Sequence, residues 1–324
     1  MSDDGLKGIR LGAWEAATPL YVEVPSDKES RSGRVPHLGH ALLFLVISGL
    51  LLLISQAVLL LPVLHGGSAI TVSLQNPKLL LASEGLTYLL TLGVSWLVFP
   101  LMWHRGFLAG IDWNGAKALE LGAKLIPLGI LSGWTVQAIS SLISMPKSIP
   151  LDSFFKSTSD VWIVTFFGTL LAPLFEETCF RGFLLPAFSI AFDWLGPALR
   201  YLLDFSTLRL GGKTPSEHFY TFREVRSAGV AEGMGNMAFR SQTAIVFSSL
   251  LTSAMFGLLH AQQLGYTWSA VLLLTAVSLL LTVVRLRTRS VACSTLVHGS
   301  YNFSVFLVLF LATGGYRHLE RVAR

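Results

Sequence analysis

Charge is what this chain has least of: of its 324 residues only 13% are Asp, Glu, Lys or Arg, against ~25% in an ordinary soluble domain. That shortfall excludes a conventional water-soluble enzyme. A mean hydropathy of +0.61 with 52% hydrophobic residues points to a bilayer instead. Cysteine is scarce too. Cys179 and Cys293 both sit in or beside apolar runs, which excludes a disulfide-stapled secreted fold and leaves them as small buried hydrophobes. Also lacking are a signal-peptide pattern in the polar residues 1–40, an internal repeat, and any basic run interleaved with stacking aromatics. The net charge of +5 therefore reads as membrane topology, and no nucleic-acid partner is expected.

What is present is a series of seven apolar stretches, at 41–64, 85–103, 125–145, 161–192, 243–259, 267–284 and 290–313. Each approaches or exceeds the ~20 residues that cross a bilayer as a helix. The fold class expected is all-α, a polytopic membrane helix bundle with about seven or eight transmembrane helices, the eighth a shorter membrane segment that would bring the basic C-terminal tail inside. The chain divides into a polar tail (1–40), N-terminal transmembrane helices (41–145), a membrane domain (146–313) and a short tail (314–324). A hydrophilic extramembrane loop at 193–241 interrupts the third of these, with turn signals at Gly211-Gly212 and Gly233-Met234-Gly235 and an interfacial helix expected at 195–203. Placing the N-terminus in the cytoplasm puts 17 Lys and Arg on inside segments and 6 outside, the bias expected of that orientation. An integral, multi-pass protein of a bacterial cytoplasmic membrane is the localisation expected.

The basic residue left out of that division is Arg181, which lies with Glu176 and Glu177 inside the fourth stretch. Each such charge costs at least ~2.5 to 3.5 kcal/mol at the centre of a membrane helix. Glu177 and Arg181, four residues apart, share a helix face and can neutralise each other, whereas Glu176 points elsewhere and has no local partner. Two further polar groups interrupt apolar spans: His260 closes Phe256-Gly-Leu-Leu-His260, and His298 and Asn302 stand four apart on one face of the last stretch. A lone membrane histidine is commonly a helix-to-helix hydrogen-bonding group; two of them with an Asn and a Glu pair suggest a site. Pro173 should kink the fourth helix and free the Thr169 carbonyl, and Gly129 and Gly133 have the spacing that lets two membrane helices touch. His40, His65, His104 and His318 flank spans or lie in tails and are given no role.

The run Glu176-Glu177-Thr-Cys-Phe180-Arg181 resembles the E-E-x-x-x-R signature of the CPBP intramembrane proteases, the family of type II CAAX prenyl endopeptidases and bacteriocin-processing or immunity proteins. Phe256 to His260 is similar to its F-x-x-x-H motif and His298 to Asn302 to its H-x-x-x-N motif. The likeness covers roughly 161–313. The 193–241 loop is longer than the family usually has between the first two motifs.

Peptide hydrolysis needs a base for water and donors for the developing oxyanion. Glu176 is read as the general base, His260 as the group that positions or polarises the water, and His298 and Asn302 as oxyanion donors; the resemblance implies the same roles for the first Glu and for the His and Asn residues. Glu177 and Arg181 form an orienting ion pair. The partners implied are the lipid bilayer and a membrane-associated peptide or protein, CAAX-type prenylated or bacteriocin-like. No cofactor is required on this reading. Zinc held by Glu176, His260 and His298 is the competing mechanism, although the H-E-x-x-H spacing of a helical zinc protease is missing. A non-catalytic scaffold or immunity protein, and then a transporter, are the rival functions. At 1.5 Å per residue, His260 falls on the order of 10 Å from the depth of Glu176.

Overall fold

In the computed structural model the residues described are 36–60, 77–143, 146, 150–155, 157–195 and 241–321, and every regular element among them is helical. The expected interfacial helix at 195–203 and the loop's glycine turns lie outside the described residues, apart from Leu195 at its start, as do 61–64 and 144–145. Long uncharged or nearly uncharged runs favour helix here because in lipid each backbone polar group must be satisfied within its own segment. The main helices are α1 (Leu38–Leu60), α2 (Pro77–Trp103), α5 (Gly122–Ser140), α6 (Thr158–Leu195), α7 (Gln242–Leu259), α8 (Trp268–Thr288) and α9 (Val291–Ala312), with the short α3 (Phe107–Gly110) and α4 (Gly115–Glu120) between α2 and α5. Six of them are long and apolar enough to cross a membrane; α5, the third stretch of the sequence, lies outside those six and packs along α9. After α9 the chain turns at Gly314 and Gly315, both at positive φ, and Tyr316 packs against Trp162 and Phe310.

Polar latches at the two ends of the bundle tie together the ends of α1, α2, α6, α8 and α9. At one end Lys78 pairs with Asp160 at 3.2 Å and Thr158 donates to the Tyr316 carbonyl at 2.7 Å. At the other, Arg285 pairs with Asp112 at 2.7 Å, Ser290 donates to the Asn114 carbonyl at 3.2 Å, and Trp103 donates to His40 Nδ1 at 3.3 Å. These ties put the start of α2, the start of α6 and the end of α9 together, and the starts of α1 and α9 with the ends of α2 and α8. His40, given no role from sequence, thus serves one of the latches.

The glycine pair works as its spacing suggested. A Cβ on Gly129 would sit 2.5 Å from the Val297 carbonyl oxygen, and one on Gly133 would sit 2.9 Å from that of Tyr301. α5 therefore meets α9 backbone to backbone beside His298. Gly129→Ala should lower stability by about 1 to 3 kcal/mol, the usual cost of overpacking, seen as a lower melting temperature in detergent. Gly93→Ala, with nothing within 4 Å of the added methyl, is the control. Equal melting of the two variants would show that the contact yields at no cost.

Candidate active site

α6 carries the first motif on a helix whose register changes twice, through π-helical turns at Phe167–Leu171 and Thr178–Leu184. Such turns shift side chains around the axis and recur at functional sites. The first also corrects an expectation. In α register Pro173 would orphan the Thr169 carbonyl, but the Ala172 N–H bonds five residues back to Phe167, so the carbonyl that loses its partner to Pro173 is that of Gly168. Asn302 Nδ2 supplies the missing donor at 2.6 Å. One amide hydrogen of Asn302 is thereby committed to α6, which fixes the side chain and leaves the other hydrogen for a ligand.

Helix α6 continues well past its charges to Leu195, so they are not a solvated helix end: Glu177 is 0% and Arg181 1% exposed. Arg181 Nη1 donates to Glu177 Oε1 at 2.9 Å, the ion pair expected from the spacing. Arg181 Nη2 donates to both the carbonyl (2.6 Å) and the hydroxyl (2.7 Å) of Ser278 on α8. Its guanidinium also lies 5.3 Å from the centre of the Phe256 ring, within cation–π range. Sequence spacing could show the ion pair, but Ser278, in a different span, carried no motif to mark it.

His298 stands between the two carboxylates. Its Nδ1 lies 3.1 Å from Glu177 Oε1, and its Nε2 faces Glu176 Oε2 at 3.8 Å. Glu176 therefore has a partner after all, from α9 and not from its own helix. Glu177 holds Arg181 and His298 through the same oxygen, so it orients the histidine as well as neutralising the arginine. A carboxylate on one ring nitrogen fixes which nitrogen the histidine turns toward its neighbour.

His260 caps the end of α7, and its ring turns back so that Nδ1 meets the Phe256 carbonyl at 2.8 Å. Phe256 is the shared wall: its ring centre lies 4.7 Å from that of His260 and 5.8 Å from that of His298. The F-x-x-x-H spacing thus has a packing reason, with Phe256 one turn below His260 and wedged among His298, Arg181 and Phe180. Glu177, Arg181 and His298 form one hydrogen-bonded cluster, with Glu176 beside it, 3.8 Å from His298 Nε2. His260 joins it through Phe256, and Asn302 joins it one turn along α9. One acidic neighbour escaped the sequence reading: Glu84 on α2 accepts a hydrogen bond from the Tyr88 hydroxyl at 2.7 Å, and the Tyr88 ring stacks on Phe175, the residue before Glu176. Among the described residues no three His, Cys, Asp or Glu groups, Glu176, His260 and His298 included, gather as a metal site.

Residues 158–304 match the family described as type II CAAX prenyl endopeptidase Rce1-like, a segment that contains all three motifs. No curated protein and no solved structure matches the chain.

Proposed function

From a segment of the CAAX prenyl endopeptidase family with this geometry, we propose an intramembrane endopeptidase that hydrolyses a peptide bond in a membrane-associated, CAAX-type prenylated substrate. The observation that carries the reading is the carboxylate pair split by His298, with Nδ1 on Glu177 and Nε2 toward Glu176. Glu176 takes a proton from water, which attacks the scissile carbonyl with His260 polarising it from the α7 side. The oxyanion that forms is met by the amide hydrogen of Asn302 not used by Gly168 and, when both ring nitrogens of His298 carry a proton, by its Nε2–H. Collapse of the tetrahedral adduct breaks the C–N bond, and Glu176 returns its proton to the leaving amine. Glu177, held by Arg181, keeps His298 in register throughout.

Comparing membranes that carry the wild type with membranes that carry Glu176→Ala tests the activity. A fragment ending at a new carboxyl terminus should accumulate only with the wild type; identical peptide profiles would reject a protease. The N-terminus is placed in the cytoplasm, with the basic 193–241 loop on the same side. Cysteine introduced at Ser216 should resist an impermeant thiol reagent in intact cells and react after lysis. Labelling from outside would invert the orientation and with it the side from which substrate enters.

A further inference from the structure

Tyr88 lies on α2, outside the matched segment, and the hydrolysis described so far gives it no task. Its ring is flat on Phe175, with centroids 3.8 Å apart and planes 3° apart, and it also stacks on Phe167 at 5.5 Å and 24°. Those two phenylalanines of α6 are eight residues apart. An unbroken α-helix turns by about 100° per residue and would point them about 80° away from each other, too far for one ring to lie on both. The π turn at Phe167–Leu171 takes up one extra residue, which cuts the divergence to about 20°. Tyr88 can therefore stack on both only while the π turn stays between them. Its hydroxyl is anchored in turn, donating to Glu84 Oε1 at 2.7 Å. Helix α9 meets the same turn: Asn302 bonds the Gly168 carbonyl at 2.6 Å, and a Cβ on Gly299 would sit 2.9 Å from the Thr169 carbonyl oxygen.

We infer that Tyr88, held at its hydroxyl by Glu84, is a positioning residue that locks the register of α6 ahead of Glu176. The register decides two things at once. It turns Glu176 toward His298 Nε2, at 3.8 Å, and it presents the Gly168 carbonyl to Asn302. Were the π turn to migrate along the helix past Glu176, that carboxylate would swing by about 100° around the axis and away from His298. Asn302 would lose its acceptor in the same movement, and with it the bond that fixes its free amide hydrogen. Tyr88 thus serves the proposed proteolysis, on which its role rests, without touching substrate. The polar cost of Glu84 inside a membrane-spanning helix is offset by this partnership, since an ionisable group there ordinarily has both a partner and a task.

Two readouts on the full-length protein in detergent test the lock. The first is the side-chain amide signal of Asn302 in a proton–nitrogen NMR spectrum, assigned by its loss in Asn302→Ala; it reports the bond to Gly168 without turnover. The second is cleavage of a synthetic prenylated CAAX peptide. Tyr88→Leu should move the Asn302 signal toward that of an unbonded amide and lower kcat about 100-fold, the scale of an ångström-sized misplacement, with KM changed no more than a few fold. Phe167→Leu, which takes away the ring on the far side of the π turn, should do the same, and it serves if Tyr88→Leu does not fold. Tyr88→Phe keeps both stacks and loses the Glu84 anchor, so it should fall between wild type and Tyr88→Leu. Phe107→Leu removes a buried ring elsewhere in the bundle; it should lower the melting temperature and leave both readouts alone. An unmoved Asn302 signal in Tyr88→Leu and Phe167→Leu overturns the lock. A moved signal with unchanged kcat overturns its part in hydrolysis, and Tyr88→Phe matching the wild type removes Glu84 from it. An active Glu176→Gln enzyme would refute the proposed base and leave the Asn302 result standing.

Discussion

Purified protein carrying Glu176→Gln is expected to bind substrate and not cleave it. The amide keeps the volume of the carboxylate and a contact for His298 Nε2, which faces Glu176 at 3.8 Å, yet it cannot accept a proton from water. The loss should fall in kcat, on the order of 10³-fold or more, with KM changed by no more than a few fold, since general-base catalysis of this type contributes ~10² to 10⁴. The same preparation tests metal dependence. Activity of the wild type should survive a chelator, because the proposed base, water-polarising and oxyanion roles are all carried by side chains. Stoichiometric zinc, with activity lost to the chelator and restored by the metal, would recast Glu176, His260 and His298 as ligands. Full activity in the Gln variant would remove Glu176 from the chemistry.

Arg181→Ala should have the largest effect on stability. It strips Glu177 of its cation while leaving the carboxylate fully buried, with Oε2 already lacking a hydrogen-bond partner among the described residues. It also cuts both bonds to Ser278 and so loosens α6 from α8. Breaking one side of a buried pair costs about 3 to 5 kcal/mol, more than the pair itself contributes, because the remaining charge has lost both water and counterion. Thermal unfolding in detergent should show it directly. The double variant Glu177→Gln, Arg181→Met should recover much of that stability without recovering activity, because His298 then has no carboxylate at Nδ1. An Arg181→Ala protein that accumulates, melts and cleaves like the wild type would show the pair to be peripheral.

Helices and motifs were legible in the sequence wherever the signal was local. The E-E-x-x-x-R run announces itself because three charges interrupt an otherwise uncharged stretch, and the ion pair follows from a spacing of four. What sequence could not show was partnership across helices: Ser278 with Arg181, and His298 between both carboxylates, are separated by 97 and 121 residues from their partners on α6. Glu84 was missed for a different reason. It reads as the polar border of a span beginning at Gly85, whereas α2 starts at Pro77 and the apolar residues Leu79, Leu80 and Leu81 precede it. That flanking run was the available signal. The orphaned carbonyl shifted from Thr169 to Gly168 because a π turn adds one residue to the hydrogen-bonded ring, and no propensity marks where such a turn will form.

Those long separations also set a clock on the protein's birth. Translation adds ~5 to 20 residues per second, and the segment holding Glu177 is made before the His298 segment that completes its pairing, 121 residues downstream. For roughly ten seconds α6 is present with only its internal Glu177–Arg181 bond, its remaining donors and acceptors unmet. During that interval it depends on water, on the translocation machinery or on the earlier helices α1 and α2 for shelter. The residues proposed to do the chemistry come together only when α9 arrives, so a chain interrupted before α9 holds the proposed base without His298 and Asn302 and is expected not to cleave substrate while it is being made.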